Sequence, residues 1–149
     1  MKPLRIDYMK TAPGALKGMF ATNAYLDEAS IPQSLRRLVE LRVSQINGCG
    51  YCIWLHTKQA RDLGETNKRI AAVADWRSAD CFDSSEIAAF DWADAVTRIA
   101  SGTPSDTVYN SILNHFDARQ VVELTATVAN MNALNRMAIS FRDEPPDPE

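Results

Sequence analysis

No stretch of this chain approaches the roughly 20 consecutive apolar residues that a membrane-spanning helix needs. Basic charge is also scarce: 16 Lys and Arg face 19 Asp and Glu, for a net charge of −3, and no Lys/Arg run occurs. That leaves no electrostatic footprint for nucleic acid or an anionic membrane surface. The opening MKPLRIDYMK lacks the apolar core of a secretory signal, so nothing marks the chain for export and a cytoplasmic location is expected. Alternating Val/Ile/Thr-rich segments bounded by hairpin turns are missing, which argues against a sheet. Repeats and low-complexity tracts are absent except for the closing EPPDPE, whose prolines forbid a helix. Only three cysteines occur, an odd number that speaks against a structural disulfide framework.

What remains is an ordinary globular composition, 46% hydrophobic and 23% charged. At 149 residues the chain can bury one core and is too small to suggest two domains. The expectation is a single domain over residues 1–143 and a disordered tail at 144–149. Punctuation divides the domain into helices. An amphipathic segment runs from about Pro13 to Glu28, and Ser30-Ile-Pro opens a second that reaches about Gln45. Asn47-Gly48 is a stop signal, because both residues tolerate the left-handed backbone of a C-terminal cap. A third helix opens near Cys49 and ends at Gly64, and Thr66 caps a short fourth to about Ala74. Asp83-Ser-Ser-Glu86 has capping-box spacing and starts a helix ending near Ser101-Gly102. Thr103 before Pro104 has the form of an N-cap with proline at the first helical position. Asp117-Ala-Arg-Gln120 is a further box, opening a long last helix to about Phe141. The chain is expected to be all-α, with seven or eight helices.

The stretch NGCGYCIWLH, Asn47 to His56, gathers two of the three cysteines and one of the two histidines. On a wheel of about 100° per residue, Cys49, Cys52, Ile53, His56, Ala60 and Leu63 fall within roughly a third of the circumference, the stripe that faces a core. Cys52 and His56 are four apart and therefore stacked neighbours. Cys49 sits at the helix start, where free backbone N–H groups and the macrodipole favour a thiolate. Three readings compete. The residues could simply be core, since free cysteine is often buried. They could hold a metal, but Cys49, Cys52 and His56 supply three ligands at most, while Cys81 and His115 are distant and have no companion pair. Haem attachment needs His directly after the second Cys, where Ile53 stands, and a thioredoxin-type site needs a preceding strand. A redox dithiol with a base beside it is the favoured reading.

Flanking helices add polar residues within apolar stripes. Leu35, Leu38, Val39, Val43 and Ile46 make an arc with Arg42 in its middle, read as a buried arginine paired to a carboxylate or to helix-end carbonyls. Glu40 lies on the flank of that arc. It could reach back to orient His56, or it could be a solvated glutamate beside Arg36 and Arg37. In the last helix Val121, Leu124, Thr125, Val128, Asn132, Asn135 and Ile139 share a face, and buried asparagines need partners. Interhelical or intersubunit hydrogen bonds are expected from Asn132 and Asn135. Cys81, in the loop-like WRSADCFD, reads as a passive thiol.

The run LVELRVSQINGCGYCIWLHTKQARDLGE, Leu38 to Glu65, resembles the core motif of the alkylhydroperoxidase D / carboxymuconolactone decarboxylase family. RIDYMKTAPGALKGM, ADWRSADCF and ELTATVANMNALNRMAISFR are similar to a small single-domain branch, so the resemblance covers roughly residues 4 to 142. It implies an AhpD-like helical fold, assembly as a homo-trimer or homo-hexamer, and a peroxidase without a cofactor. Cys49 and Cys52 would be the dithiol, Cys52 peroxidatic and Cys49 resolving, with His56 as the proton-relay histidine. The substrate would be a hydroperoxide, and an external dithiol reductant of lipoyl or thioredoxin type would reset the disulfide. The hydroperoxidase branch usually carries a glutamate twelve residues before the first cysteine. Here that position is Arg37, and Glu40 is the nearby carboxylate on the same helix, about 60° away on the wheel. The decarboxylase branch lacks the cysteine pair, so that activity is not expected.

Overall fold

The computed structural model describes residues 2–146. Among these, eight α-helices form and no strand does. They are α1 (Tyr8–Thr11), α2 (Pro13–Asp27), α3 (Gln33–Asn47), α4 (Gly50–Asp62), α5 (Asn67–Ala72), α6 (Ser84–Thr97), α7 (Asp106–Leu113) and α8 (Ala118–Phe141). Short 3-10 turns at Val73–Ser78 and Ile99–Ser101 continue α5 and α6. Both expected capping boxes are present: Asp83 and Glu86 exchange side-chain bonds to backbone at α6, and Asp117 and Gln120 do so at α8.

The helix after Thr103-Pro104 starts two residues later than expected. Ser105 is its N-cap, because the Ser105 hydroxyl accepts the Val108 N–H, at 3.2 Å. The helix expected from Ser30 likewise begins at Gln33, and the side chain of Ser30 goes to Glu123 instead. The single-turn helix α1 had no periodicity to announce it. Residues 144–146 carry no regular structure, and the rest of the expected tail, 147–149, lies outside the described residues.

Helix α3 is the axis, packed against α4, α6 and α8. Its apolar arc is buried at Leu35, Leu38, Val39 and Val43. Arg42, within that arc, pairs bidentately with buried Asp94 of α6 (2.7 and 2.8 Å) and donates to the Ala74 carbonyl (3.0 Å). Trp76 Nε1 and Arg98 complete the Asp94 shell. Two ties bind α8. Asn47 donates to Asn132 (2.8 Å) and Asn135 (3.0 Å), while Asn135 donates to Ser44 (3.1 Å). These are the expected interhelical bonds. Glu123 holds the turn between α2 and α3, accepting from Tyr25, the Ser30 N–H and hydroxyl, and Arg119. Two stripe members do not belong: Leu63 is 51% exposed and Ile139 43%. Leu63 caps the C-terminus of α4, and Ile139 lies in the last turn of α8 beside buried Ala138, on the turn's exposed side.

Removing the Asp94 carboxylate strands Arg42, whose side chain is only 13% exposed. Asp94→Ala is therefore expected to lower the free energy of urea unfolding by about 3–5 kcal/mol, and equilibrium denaturation checks it.

Candidate active site

The chain reverses between α3 and α4 on a single residue. Gly48 takes φ +71°, a left-handed conformation that closes α3, and the Cys49 N–H then bonds back to the Ser44 carbonyl (3.0 Å). This makes Cys49 the N-cap of α4, and its sulfur accepts the Cys52 N–H at 3.4 Å. Cys49 and Cys52 are joined as a disulfide, with Cα atoms 5.3 Å apart. Cys49 is 1% exposed, Cys52 4% and His56, one turn further along α4, 6%. Wheel geometry on α4 thus puts both sulfurs and the imidazole inside, as the spacing predicted.

The opposing wall comes from α3, where Arg36, Glu40 and Ser44 form a buried polar ladder at four-residue spacing. Glu40 Oε1 accepts from Arg36 Nε (3.0 Å), and Oε2 accepts from Arg37 Nη1 (2.8 Å) and lies 3.2 Å from His56 Nδ1. Arg36 reaches on to Asp27 (2.6 Å) and Gln33 (3.3 Å). Glu40 is therefore neither a solvated flank residue nor alone. Burial pushes its carboxyl upward, but the hydrogen bond and charge of His56, followed by the charges of Arg36 and Arg37, outweigh burial and hold it at about 2, well below the usual range.

An ionised Glu40 can only accept, and its Oε2 lies beside His56 Nδ1, so Nδ1 is the nitrogen that carries the proton. Gln59 Oε1, 2.9 Å from the same nitrogen, fits that tautomer. Nε2 is then the nitrogen left to exchange a proton. His56 and Cys52 both line a cavity of about 250 Å³. Leu16, Phe20, Leu55, Met131 and Leu134 give the cavity apolar walls, and Arg37, Glu40, His56 and Cys52 give it one polar side. Cys49 lies behind Cys52 and does not line it.

The structure brings together all four residues singled out from the sequence: Cys49, Cys52, His56 and Glu40. Cys81 is a partly buried free thiol elsewhere, and His115 is exposed on the loop after α7. Among the described residues no three His, Cys, Asp or Glu side chains are grouped to hold a metal ion. Arg36 and Gln59 were missed. The Arg36/Glu40/Ser44 spacing was the available signal for the first, and His56/Gln59 at three residues for the second.

A helical fold with a dithiol at the start of one helix and a Glu–His pair beside it defines an AhpD-like protein. The profile of the carboxymuconolactone decarboxylase family matches residues 13–95. The uncharacterized protein YdfG of Bacillus subtilis is 35% identical over 137 residues, 92% of this chain and 93% of that one. The chain belongs to this family. A crystal structure of a protein of unknown function from Agrobacterium tumefaciens, provisionally assigned to AhpD antioxidant defence, superposes with a TM-score of 0.95 at 32% identity, covering 98% of this chain and all of the other. The debrominase Bmp8 shares the fold alone, at TM-score 0.83 and 18% identity over 93% of this chain and 74% of its own.

Because Glu40 is depressed on folding, it contributes stability that is full above about pH 4.5 and is lost as pH falls toward 2. Glu40→Gln is expected to be less stable than wild type at pH 7, with the gap closing as pH falls through that window. Urea unfolding at pH 7, 4 and 2.5 measures it.

Proposed function

We propose that this protein is a thiol-dependent peroxidase that reduces organic hydroperoxides through a Cys49/Cys52 dithiol–disulfide cycle. The observation that carries the reading is a cavity-facing Cys52 one helical turn from an imidazole whose Nδ1 faces the Gln59 amide oxygen and a buried, ionised Glu40. Family membership supports an antioxidant role of this kind.

In the reduced protein, the Cys52 thiol gives its proton to His56 Nε2, and the thiolate attacks the terminal oxygen of ROOH. The O–O bond breaks, Cys52 becomes a sulfenic acid, and RO⁻ recovers the proton from His56 to leave as ROH. Cys49 then attacks the Cys52 sulfur, water leaves, and the disulfide forms. Two thiols and one hydroperoxide have become a disulfide, an alcohol and water. Glu40 supplies the carboxylate of the relay from one turn beyond the position where the hydroperoxidase branch has it. Arg37, at that position, serves instead as a counter-charge to Glu40.

Resetting needs an external dithiol of lipoyl or thioredoxin type. Its thiolate attacks the cavity-facing Cys52 sulfur, forming a mixed disulfide while Cys49 leaves as a thiolate at the N-terminus of α4, where the Cys52 N–H receives it. The reductant's second thiol then releases Cys52 and closes its own disulfide. A homo-trimer or homo-hexamer working in the cytoplasm completes the reading. The cavity at Cys52, with room for a small hydroperoxide, weighs against the alternative, a redox-sensing or disulfide-exchange oligomer with little peroxidase turnover.

Stopped-flow mixing of reduced protein with cumene hydroperoxide tests the reading. The expected result is two thiols lost per peroxide, loss of the rapid oxidation in Cys52→Ser, and one oxidation of Cys49→Ser to a dimedone-reactive sulfenic acid. His56→Ala should slow the first oxidation about a hundredfold or more. A double Cys49→Ser/Cys52→Ser variant that still turned over would overturn the proposal.

A further inference from the structure

The cavity over Cys52 is roofed by two segments from opposite ends of the chain. Tyr8 and Asp143 both line it, and the Tyr8 hydroxyl donates to Asp143 Oδ2 at 2.8 Å. Burial and the Asp143 carboxylate push the Tyr8 phenol above its ordinary range, so this hydroxyl keeps its proton and remains the donor. The Tyr8 ring stacks on Phe141 (centroids 5.2 Å apart), and Arg5 donates its backbone N–H to the Phe141 carbonyl (2.8 Å) and its guanidinium to the Ser140 carbonyl (3.1 Å).

The backbone is shaped to make this meeting. Arg142 has φ +60°, the one positive φ at a non-glycine residue among those described, and the turn it makes sends Asp143 back toward Tyr8. Such a conformation costs of order 1 kcal/mol and persists only where its surroundings over-determine it. The arm itself has little else to hold it: α1 is a single turn with no buried residue. Segments with few buried contacts open at low free energy while the core stays folded.

The disulfide lies beneath, with its sulfur-bearing residues at most 4% exposed. Cys52 faces the cavity that Tyr8 and Asp143 line, so moving the strap aside widens a thiol's path to its sulfur. We propose that residues 5–11 form a strap latched over the cavity by the Tyr8–Asp143 hydrogen bond, and that the latch sets the rate at which a dithiol reaches Cys52. The strap gates the reset half of the proposed cycle, and in that sense rests on it. Its chemistry is the exchange already written: a reductant thiolate bonds to Cys52, Cys49 leaves, and the second reductant thiol takes over.

The test uses the full-length oxidised protein and no peroxide, so failure of the peroxidase assay and failure of the latch are separate results. Thiol release by dithiothreitol is followed for wild type, Tyr8→Phe, Asp143→Ala and the double variant. Each single variant removes one half of a hydrogen bond to a carboxylate and is expected to be reduced about five- to tenfold faster, with the double variant no faster than the quicker single one. Amide exchange of residues 5–12 should rise in parallel, while the α3 core keeps its protection, which also shows that the variants fold. Reduction rates unchanged or slower in both single variants, with exchange at the arm increased, would overturn the proposal.

Discussion

A buried carboxylate with three cationic or hydrogen-bonding neighbours organises this molecule. Glu40 would be costly to bury alone, and the two guanidiniums and the imidazole around it offset that cost. Each contact also fixes a piece of structure. Arg36 bridges Glu40 to Asp27 at the end of α2, so the carboxylate ties α2 to α3. His56 ties α3 to α4 and lines the same cavity as Cys52. Fold stability and the proposed proton transfer thus share one set of polar contacts.

The other fixed point is the reversal at Gly48. A left-handed glycine ends one helix and leaves Cys49 to cap the next, so one backbone device both places the dithiol and surrounds Cys49 with helix N-terminal donors. Cys52, one turn deeper, faces the cavity. The asymmetry of the proposed cycle follows from this: the cavity-facing sulfur would meet substrate and reductant, and the capping sulfur would be the better leaving thiolate. The long helix α8 supplies the remaining wall, and its C-terminal turn at Arg142 folds back to meet the arm that precedes α1.

Much of this was legible in the sequence because helices announce themselves locally. Capping boxes at Asp83 and Asp117, the Asn47-Gly48 stop and the Cys49/Cys52/His56 face each depend on residues within one or two turns. The Arg42 counter-ion was anticipated as a type, although Asp94 could not be named from fifty-two residues away. The role of Glu40 was left balanced between two readings, because a polar ladder covered by a second helix has the same pattern as a solvated face. Only the tertiary fact that α4 and α8 flank α3 as well as α6 decides it. Tyr8 and Asp143 carry no signal at all, since a contact across 135 positions has no period. Leu63 and Ile139 are exposed for a related reason: a wheel assigns a face by angle alone, whereas the neighbours decide which part of that face is covered.

The central claim is that Glu40 and Gln59 together hold the proton of His56 on Nδ1 and leave Nε2 for chemistry. Histidine-selective ¹⁵N NMR reads this directly, since protonated and unprotonated ring nitrogens resonate far apart. With the neutral ring, the account predicts a protonated-type signal at His56 Nδ1 and an unprotonated-type signal at Nε2. The reverse assignment, or two averaged signals from freely exchanging tautomers, would contradict it.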